Sequence, residues 1–214
     1  MSKTFQPGGA AMKFYRWVII LFLCFFVLSC ANARTYSLYL RYQPSRDFPS
    51  LQQKIGSTLG VGPFKDERPD TLYIGIHTHL QGISSHFKSD PFPLERAIQE
   101  SLTEVLSRQG VKTVPVSNWD GKPESLKTME TDSILMIEIK RFWAEGRAVT
   151  FKTDVKTSIH FVIHLGVKRE GKVFTKNVTV EKEMAVFGLA PEKVEQTLNE
   201  ILTDIFNAFF SDPY

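Results

Sequence analysis

From Val149 to Val167 every second residue belongs to one mostly apolar series: Val149, Phe151, Thr153, Val155, Thr157, Ile159, Phe161, Ile163, Leu165 and Val167. A period of two held over so long a run commits these side chains to one face of a single long strand. The flanking segments complete a three-strand meander. Ser133–Trp143 alternates around Leu135, Ile137 and Ile139, with Ile134 and Met136 opposite, and Glu145-Gly146-Arg147 reads as a turn. Arg169-Glu170-Gly171-Lys172 reads as a hairpin turn, and Val173–Val186 as the return strand.

Two stretches switch to helical spacing. In Pro91–Gln109 the residues Leu94, Ile98, Leu102, Val105 and Leu106 make one stripe, with Asp90 as the expected N-cap and Gly110 at the C′ position. After Gly188 and Pro191, the residues Val194, Leu198, Ile201, Leu202, Ile205, Phe206 and Phe209 form the cleanest amphipathic stripe, which leaves Phe210 on the solvent side. Thr35–Tyr42, Lys54–Phe64, Leu72–His77 and Val111–Val116 read as further strands, Gln81–Asp90 as a loop and Ser117–Asp132 as a polar connection. The expectation is an α+β domain: a mostly antiparallel sheet with a C-terminal three-strand meander and two amphipathic helices packed on one face. The other face of such a sheet stays bare unless something covers it, so it is the natural place for a partner.

Upstream of the domain lies a different signal. Lys13 and Arg16 precede 13 residues, Trp17 to Ser29, that are almost all apolar, and the run closes on Val27-Leu28-Ser29-Cys30. A spanning helix needs ~20 such residues. The layout is that of a bacterial export signal with a lipoprotein processing site: cleavage after Ser29 and acylation of Cys30. The second reading is ordinary cleavage after Ala31-Asn32-Ala33, which releases a soluble periplasmic protein starting at Arg34. A cysteine that ends the apolar run behind a small residue favours the first. Residues 1–29 are then a signal peptide with Met12 as an alternative start, 30–34 a lipidated tether, and 35–214 a single domain. Ala31 is not the aspartate associated with inner-membrane retention, so the expected place is the periplasmic side of the outer membrane.

The formal charge of +3 belongs to the leader. Three of the 26 basic residues, Lys3, Lys13 and Arg16, lie there, leaving 23 against 23 acidic residues in the mature part. A neutral domain argues against nucleic-acid binding. Cys30 is the one cysteine after the leader, so no intramolecular disulfide forms and no free thiol serves as a nucleophile once Cys30 is acylated.

Certain residues resemble a known family. Ser37-Leu38-Tyr39-Leu40-Arg41-Tyr42-Gln43-Pro44 resembles the first strand of the YajG-like envelope lipoproteins. Val61-Gly62-Pro63-Phe64-Lys65-Asp66-Glu67-Arg68, with Tyr73-Ile74-Gly75 following, is similar to their phenylalanine-x-aspartate-x-arginine and isoleucine-glycine stretch. The resemblance implies an envelope lipoprotein of α+β fold and no particular reaction. It is also reminiscent of auxiliary lipoproteins of lipid-transport systems. The physical reading of Phe64, Asp66 and Arg68 is structural: a core side chain and an ion pair that ties down a turn.

Other constellations are thinner. His77-Thr78-His79 places two imidazoles on one side of a strand, with no fixed carboxylate or thiolate ligand beside them, so no metal is expected. His160 and His164 share a strand face around Val162 but stand ~13 Å apart, too far for one ion. These three residues are a candidate partner-docking face. Gly60-Val61-Gly62 lacks the further glycine, lysine and helix of a phosphate loop, so no nucleotide and no other cofactor is expected. Asn177-Val178-Thr179 matches a glycosylation acceptor inside an expected strand and reads as chance. The sum is a lipid-anchored, non-catalytic binding or assembly module with an envelope protein as partner. The alternatives are a transport auxiliary subunit or an envelope hydrolase using His77, His79 or Asp66.

Overall fold

The computed structural model describes residues 33–44, 46–188 and 191–213. The leader, with Ser29 and Cys30, lies outside the described residues.

Nine strands join in one sheet. In chain order the elements are β1 (Thr35–Tyr39), α1 (Leu51–Ile55), β2 (Thr58–Val61), β3 (Lys65–Asp66), β4 (Gly75–Thr78), β5 (Ser84–Asp90), α2 (Leu94–Arg108), β6 (Lys112–Pro115), β7 (Ser133–Val149), β8 (Lys152–Val167), β9 (Lys172–Val186) and α3 (Pro191–Ser211). A path of strands runs β1-β5-β4-β7-β2-β6, and β8 and β9 extend from β7. The long pairings, β7 with β8 and β8 with β9, are antiparallel and carry the expected meander. Shorter strands dock on β7 in parallel: β2 and β3 along its first part, β4 along its second.

The alternation holds within β8, where Val155, Ile159, Phe161, Ile163, Leu165 and Val167 are buried on one face, but the single strand expected from Val149 does not: Val149 ends β7 and Phe151 is an exposed turn residue. On β7 the alternation breaks. A bulge between Ile139 and Arg141 inserts one residue, so Leu135, Ile137 and Ile139 face the core before it and Phe142 and Ala144 after it. Glu145-Gly146-Arg147 is therefore not a turn; β7 runs on to Val149, and the chain reverses at Thr150-Phe151. Gly146 serves packing instead: a Cβ there would stand 2.9 Å from His77 Cδ2 on the neighbouring strand.

α2 and α3 cover the core face. All seven stripe residues of α3 are buried. Phe210 is buried too, against the expectation, because Tyr42 and Phe48 from the segment after β1 wrap over it. α2 ends as its glycine demands: Gly110 sits at φ +78°, the Val111 amide donates to the Leu106 carbonyl and the Gly110 amide to that of Ser107. Its start is one turn later than expected. Pro93 takes the N-cap position and Asp90 belongs to β5.

Two other segments differ from their sequence reading. Residues 84–90 form a strand rather than a loop; its buried residues are Ser85, Phe87 and Ser89, so small polar side chains occupy inward positions. Leu51 and Ile55, four apart, bury one face of a helical turn, and the strand begins only after Gly56 at φ +86°. Beyond β1, residues 39–43 continue along α3. The Tyr39, Arg41 and Gln43 amides donate to Glu195, Asn199 and Thr203, one helical turn apart. Polar side chains of a helix thus satisfy backbone groups on the edge of the sheet. Among the described residues no helix is long and apolar enough to cross a membrane.

Candidate functional site

Opposite the helices, the outer face of the meander has two halves. One half is covered. Trp119 and Leu126 from the 117–132 connection pack with Ile134 and Met136 of β7 in a second, smaller core, with Met129 and Val173 at its margin. Gly166 makes room for this lid: a Cβ there would stand 2.5 Å from Leu126 Cδ2 and 3.0 Å from Trp119 Cζ2.

The other half carries the candidate face. His160, Val162 and His164 project outward from β8 and are half-buried. Register sets their neighbours. Val162 lies between Glu138 of β7 and Asn177 of β9; His160 between Arg141 and Thr179; His164 between Met136 and Thr175. The result is a small apolar centre in a ring of polar groups.

The polar groups engage one another. His164 Nδ1 lies 3.0 Å from Thr175 Oγ1, and its Nε2 lies 3.6 Å from Glu138 Oε1. Lys140 stands 2.7 Å from Glu138 and 2.5 Å from Glu67. The hydrogen bond from Lys140 holds the Glu138 carboxyl below its usual range, so this carboxylate stays charged at neutral pH. Sequence reasoning found the three β8 residues but missed Glu138, Lys140 and Glu67. Glu138 and Lys140 continue the outward series of Ile134 and Met136, but only the pairing of β7 with β8 and with β3 sets them beside Val162 and Glu67.

Phe64, Asp66 and Arg68 form a different structure at the root of β3. Phe64 is in the core. Arg68 meets Asp66 in two parallel bonds, Nε to Oδ1 at 2.8 Å and Nη2 to Oδ2 at 2.7 Å, with both side chains buried. Its Nη1 donates to the carbonyls of Tyr73 at 2.7 Å and Phe142 at 3.1 Å. The guanidinium thus fastens the 66–73 loop to β7. Its donors point at protein acceptors, which leaves little of it for a ligand.

His77 is buried beneath β7 at Gly146, its ring edge-on to His79 with centroids 4.4 Å apart. Thr153 Oγ1 is 3.5 Å from its Nε2, and its Nδ1 has no hydrogen-bond partner among the described residues. Burial, and secondarily the neighbouring His79, pushes the His77 pKa down. His79 Nε2 lies 2.9 Å from Ser85 Oγ, and His86 stacks on Tyr73 instead of joining the pair. Among the described residues no group of three or more His, Cys, Asp or Glu side chains could hold a metal ion. Asp66 and the two histidines are not gathered in one cleft. Two open hollows lie elsewhere: one of about 630 Å³ lined by Glu145, Arg147, Lys156 and Glu183, and one of about 650 Å³ along the polar side of α3.

No family model matches the chain. Among solved structures it is similar to protein XCC0632 from Xanthomonas campestris, of the DUF330 family, at 14% identity and a TM-score of 0.53, covering 83% of this chain and 92% of that one. It also matches the lipoprotein GNA1162 from Neisseria meningitidis at 15% identity and a TM-score of 0.40, over 71% of this chain and 99% of that one. A third match is the PelC dodecamer from Paraburkholderia phytofirmans, at 10% identity and a TM-score of 0.35, over 76% and 91%. At such identities the likeness to the Xanthomonas protein is one of fold.

Proposed function

We propose that this chain is a cell-envelope lipoprotein of the YajG-like kind, held by acyl chains on Cys30 at the periplasmic side of the outer membrane, where it acts as a non-catalytic binding or assembly module. The observation that carries the binding role is the uncovered half of the outer sheet face. Helices cover most of one side of the sheet, and a dedicated connection covers part of the other. The remaining part presents Val162 inside a ring of His160, His164, Asn177 and Glu138. A small apolar centre with a polar rim is the pattern of a modest protein-binding patch.

The anchor is supported by the leader and by its spacing. Cys30 stands four residues before Arg34, whose carbonyl already accepts from the His86 amide at 2.8 Å. One acyl chain binds a membrane reversibly, and stable attachment takes two or more.

Two experiments test the reading. Cys30→Ala is expected to abolish metabolic labelling by a fatty-acid probe and to move the protein out of the membrane fraction. An unlabelled wild type would reject the anchor. Crosslinking in intact cells, followed by purification from solubilised membranes, is expected to capture an envelope protein with wild type and to lose it with Val162→Asp. Equal capture by both would reject this face as the binding site.

A further inference from the structure

The three most exposed large apolar side chains among the described residues are Phe187 at 92%, Phe151 at 87% and Leu80 at 65%. They are far apart in sequence, yet strand register brings them to one end of the sheet. Phe151 is in the β7–β8 turn, next to Lys152, which pairs with Val149. Val186 pairs with Thr153, so Phe187 comes level with that turn from β9. β4 runs parallel to β7 with Thr78 opposite Arg147, so Leu80, two residues on, reaches the same level from the β4–β5 turn. The four strands β4, β7, β8 and β9 are about 5 Å apart, so the three side chains spread over roughly 15 Å. Isolated exposed apolar residues need no explanation; three of this size at one end of a sheet do.

The chain also enters the fold at this end. β1 is parallel to β5, with Thr35 opposite His86, and the Arg34 amide donates to Ser85 Oγ at 3.2 Å. Ser85 pairs with His77, and His77 with Gly146, so Arg34 enters about three residues short of the tip, running away from it. Four residues from Cys30 to Arg34 span ~14 Å at most. An acyl group on Cys30 would therefore hold this end of the sheet close to lipid. The ionic groups here lean slightly positive: Arg34, Arg147, Lys152 and Lys156 against Glu145, Asp154 and Glu183, with Asp154 paired to Lys152 at 2.8 Å and Glu183 3.5 Å from Lys156.

We propose that this end of the sheet is a lipid-contacting surface, with Leu80, Phe151 and Phe187 inserting into the head-group layer of the membrane that carries the anchor, and Arg34, Arg147 and Lys152 facing anionic head groups. The inference rests on the lipid-anchor reading above. Apolar tips beside cations gain from burial in the interface and from attraction to its negative charge. Three shallow contacts would fix how the anchored domain stands, and so which way its Val162 face points.

The test uses the full chain carrying Cys24→Ser, purified in detergent and reconstituted into vesicles of phosphatidylethanolamine and phosphatidylglycerol. A nitrobenzoxadiazole probe is attached at Leu80→Cys, Phe151→Cys or Phe187→Cys, and at Lys172→Cys, at the far end of β9, as the control. Lipids with a doxyl group near the head-group are expected to quench the three tip probes at least threefold more than the control. Equal quenching at all four sites of a membrane-bound protein overturns the proposal and leaves the anchor standing. Tip probes shielded from water yet unquenched by the lipid overturn it in favour of a protein occupant. Should intact mass show no acylation, the anchor reading fails, and Cys30→Ala protein mixed with the same vesicles reads the surface by itself: tip quenching upholds it and none overturns it.

Discussion

The two ends of the β7–β9 meander are built on opposite principles. At the Ser133 end the strands are locked on both faces. The Ser133 hydroxyl donates to the Ile55 carbonyl at 2.6 Å, and Trp119 and Leu126 press onto Gly166 from the other side. Asp132 Oδ2 accepts from the amides and hydroxyls of both Ser57 and Thr58. At the Phe151 end the turn carries an exposed phenylalanine at φ +70°, and the buried layer beneath it holds His77, Thr153 and Thr157, where the middle of β7 and β8 holds aliphatic and phenylalanine side chains. One end is assembled for stability. The other tolerates exposed apolar groups and half-satisfied polar ones, the usual signature of a surface kept for contact.

The contrast can be broken by measurement, and the largest effect lies between the two ends. Arg68→Ala leaves the buried Asp66 carboxylate without its partner and frees the Tyr73 and Phe142 carbonyls. It is expected to cost about 3–5 kcal/mol in urea denaturation. A loss under 1 kcal/mol would show that the loop relaxes and that the fastening is dispensable. Next comes Gly166→Val, which collides with Leu126, Ile134 and Trp119. About 2–3 kcal/mol is expected, with loss of the native tryptophan fluorescence of the lid.

The ends should also differ in acid. Hydrogen bonds from Thr58 and then Ser57 hold the Asp132 pKa below its ordinary value, so the unfolded chain binds this proton first as pH falls. The stabilisation is complete above the ordinary carboxyl range and disappears as pH drops through the lowered value. His77 is also depressed, by burial and then by His79, from an ordinary value of 6.5. The unfolded chain protonates it near pH 6.5 while the buried ring stays neutral, so its contribution falls as pH drops below that point. Amide protection at Gly75–Thr78, after correction for the intrinsic pH dependence of exchange, is therefore expected to fall between pH 7 and pH 5.5, with protection at Ser133–Leu135 unchanged until the carboxyl range. Simultaneous loosening of both ends would erase the distinction. The smallest effect is predicted for Phe151→Ser and Phe187→Ser, within about 0.5 kcal/mol of wild type, because neither side chain is packed.

The parts legible in the sequence are those with strong local periods. The β8 face from Thr153 onward and the α3 stripe were readable residue by residue, though not the turn at Thr150-Phe151, and Gly110 announced the end of α2. Around the candidate site legibility was partial. His160, Val162 and His164 followed from alternation on a strand with no irregularity, whereas Glu138, Lys140 and Glu67 become their neighbours only through pairing between β7, β8 and β3. β5 was invisible because its inward positions are mostly serines, so its alternation carries no apolar signal. Phe210 was misjudged for a related reason. It lies off the helical stripe, and a distant segment, residues 42–48, provides its cover.

Period-two and helical spacing decided the long elements β8, α2 and α3, since backbone sterics and the burial of one face act over a few residues. The leader and Cys30 are likewise matters of local order in the chain. Which glycine turns the chain and which makes room for a neighbour depended on pairing between distant strands, as Gly146 shows. So did the half-covered outer face, and so did the meeting of Leu80, Phe151 and Phe187 at one end. Register between segments many residues apart is set by the whole packed sheet, and only the tertiary structure contains it.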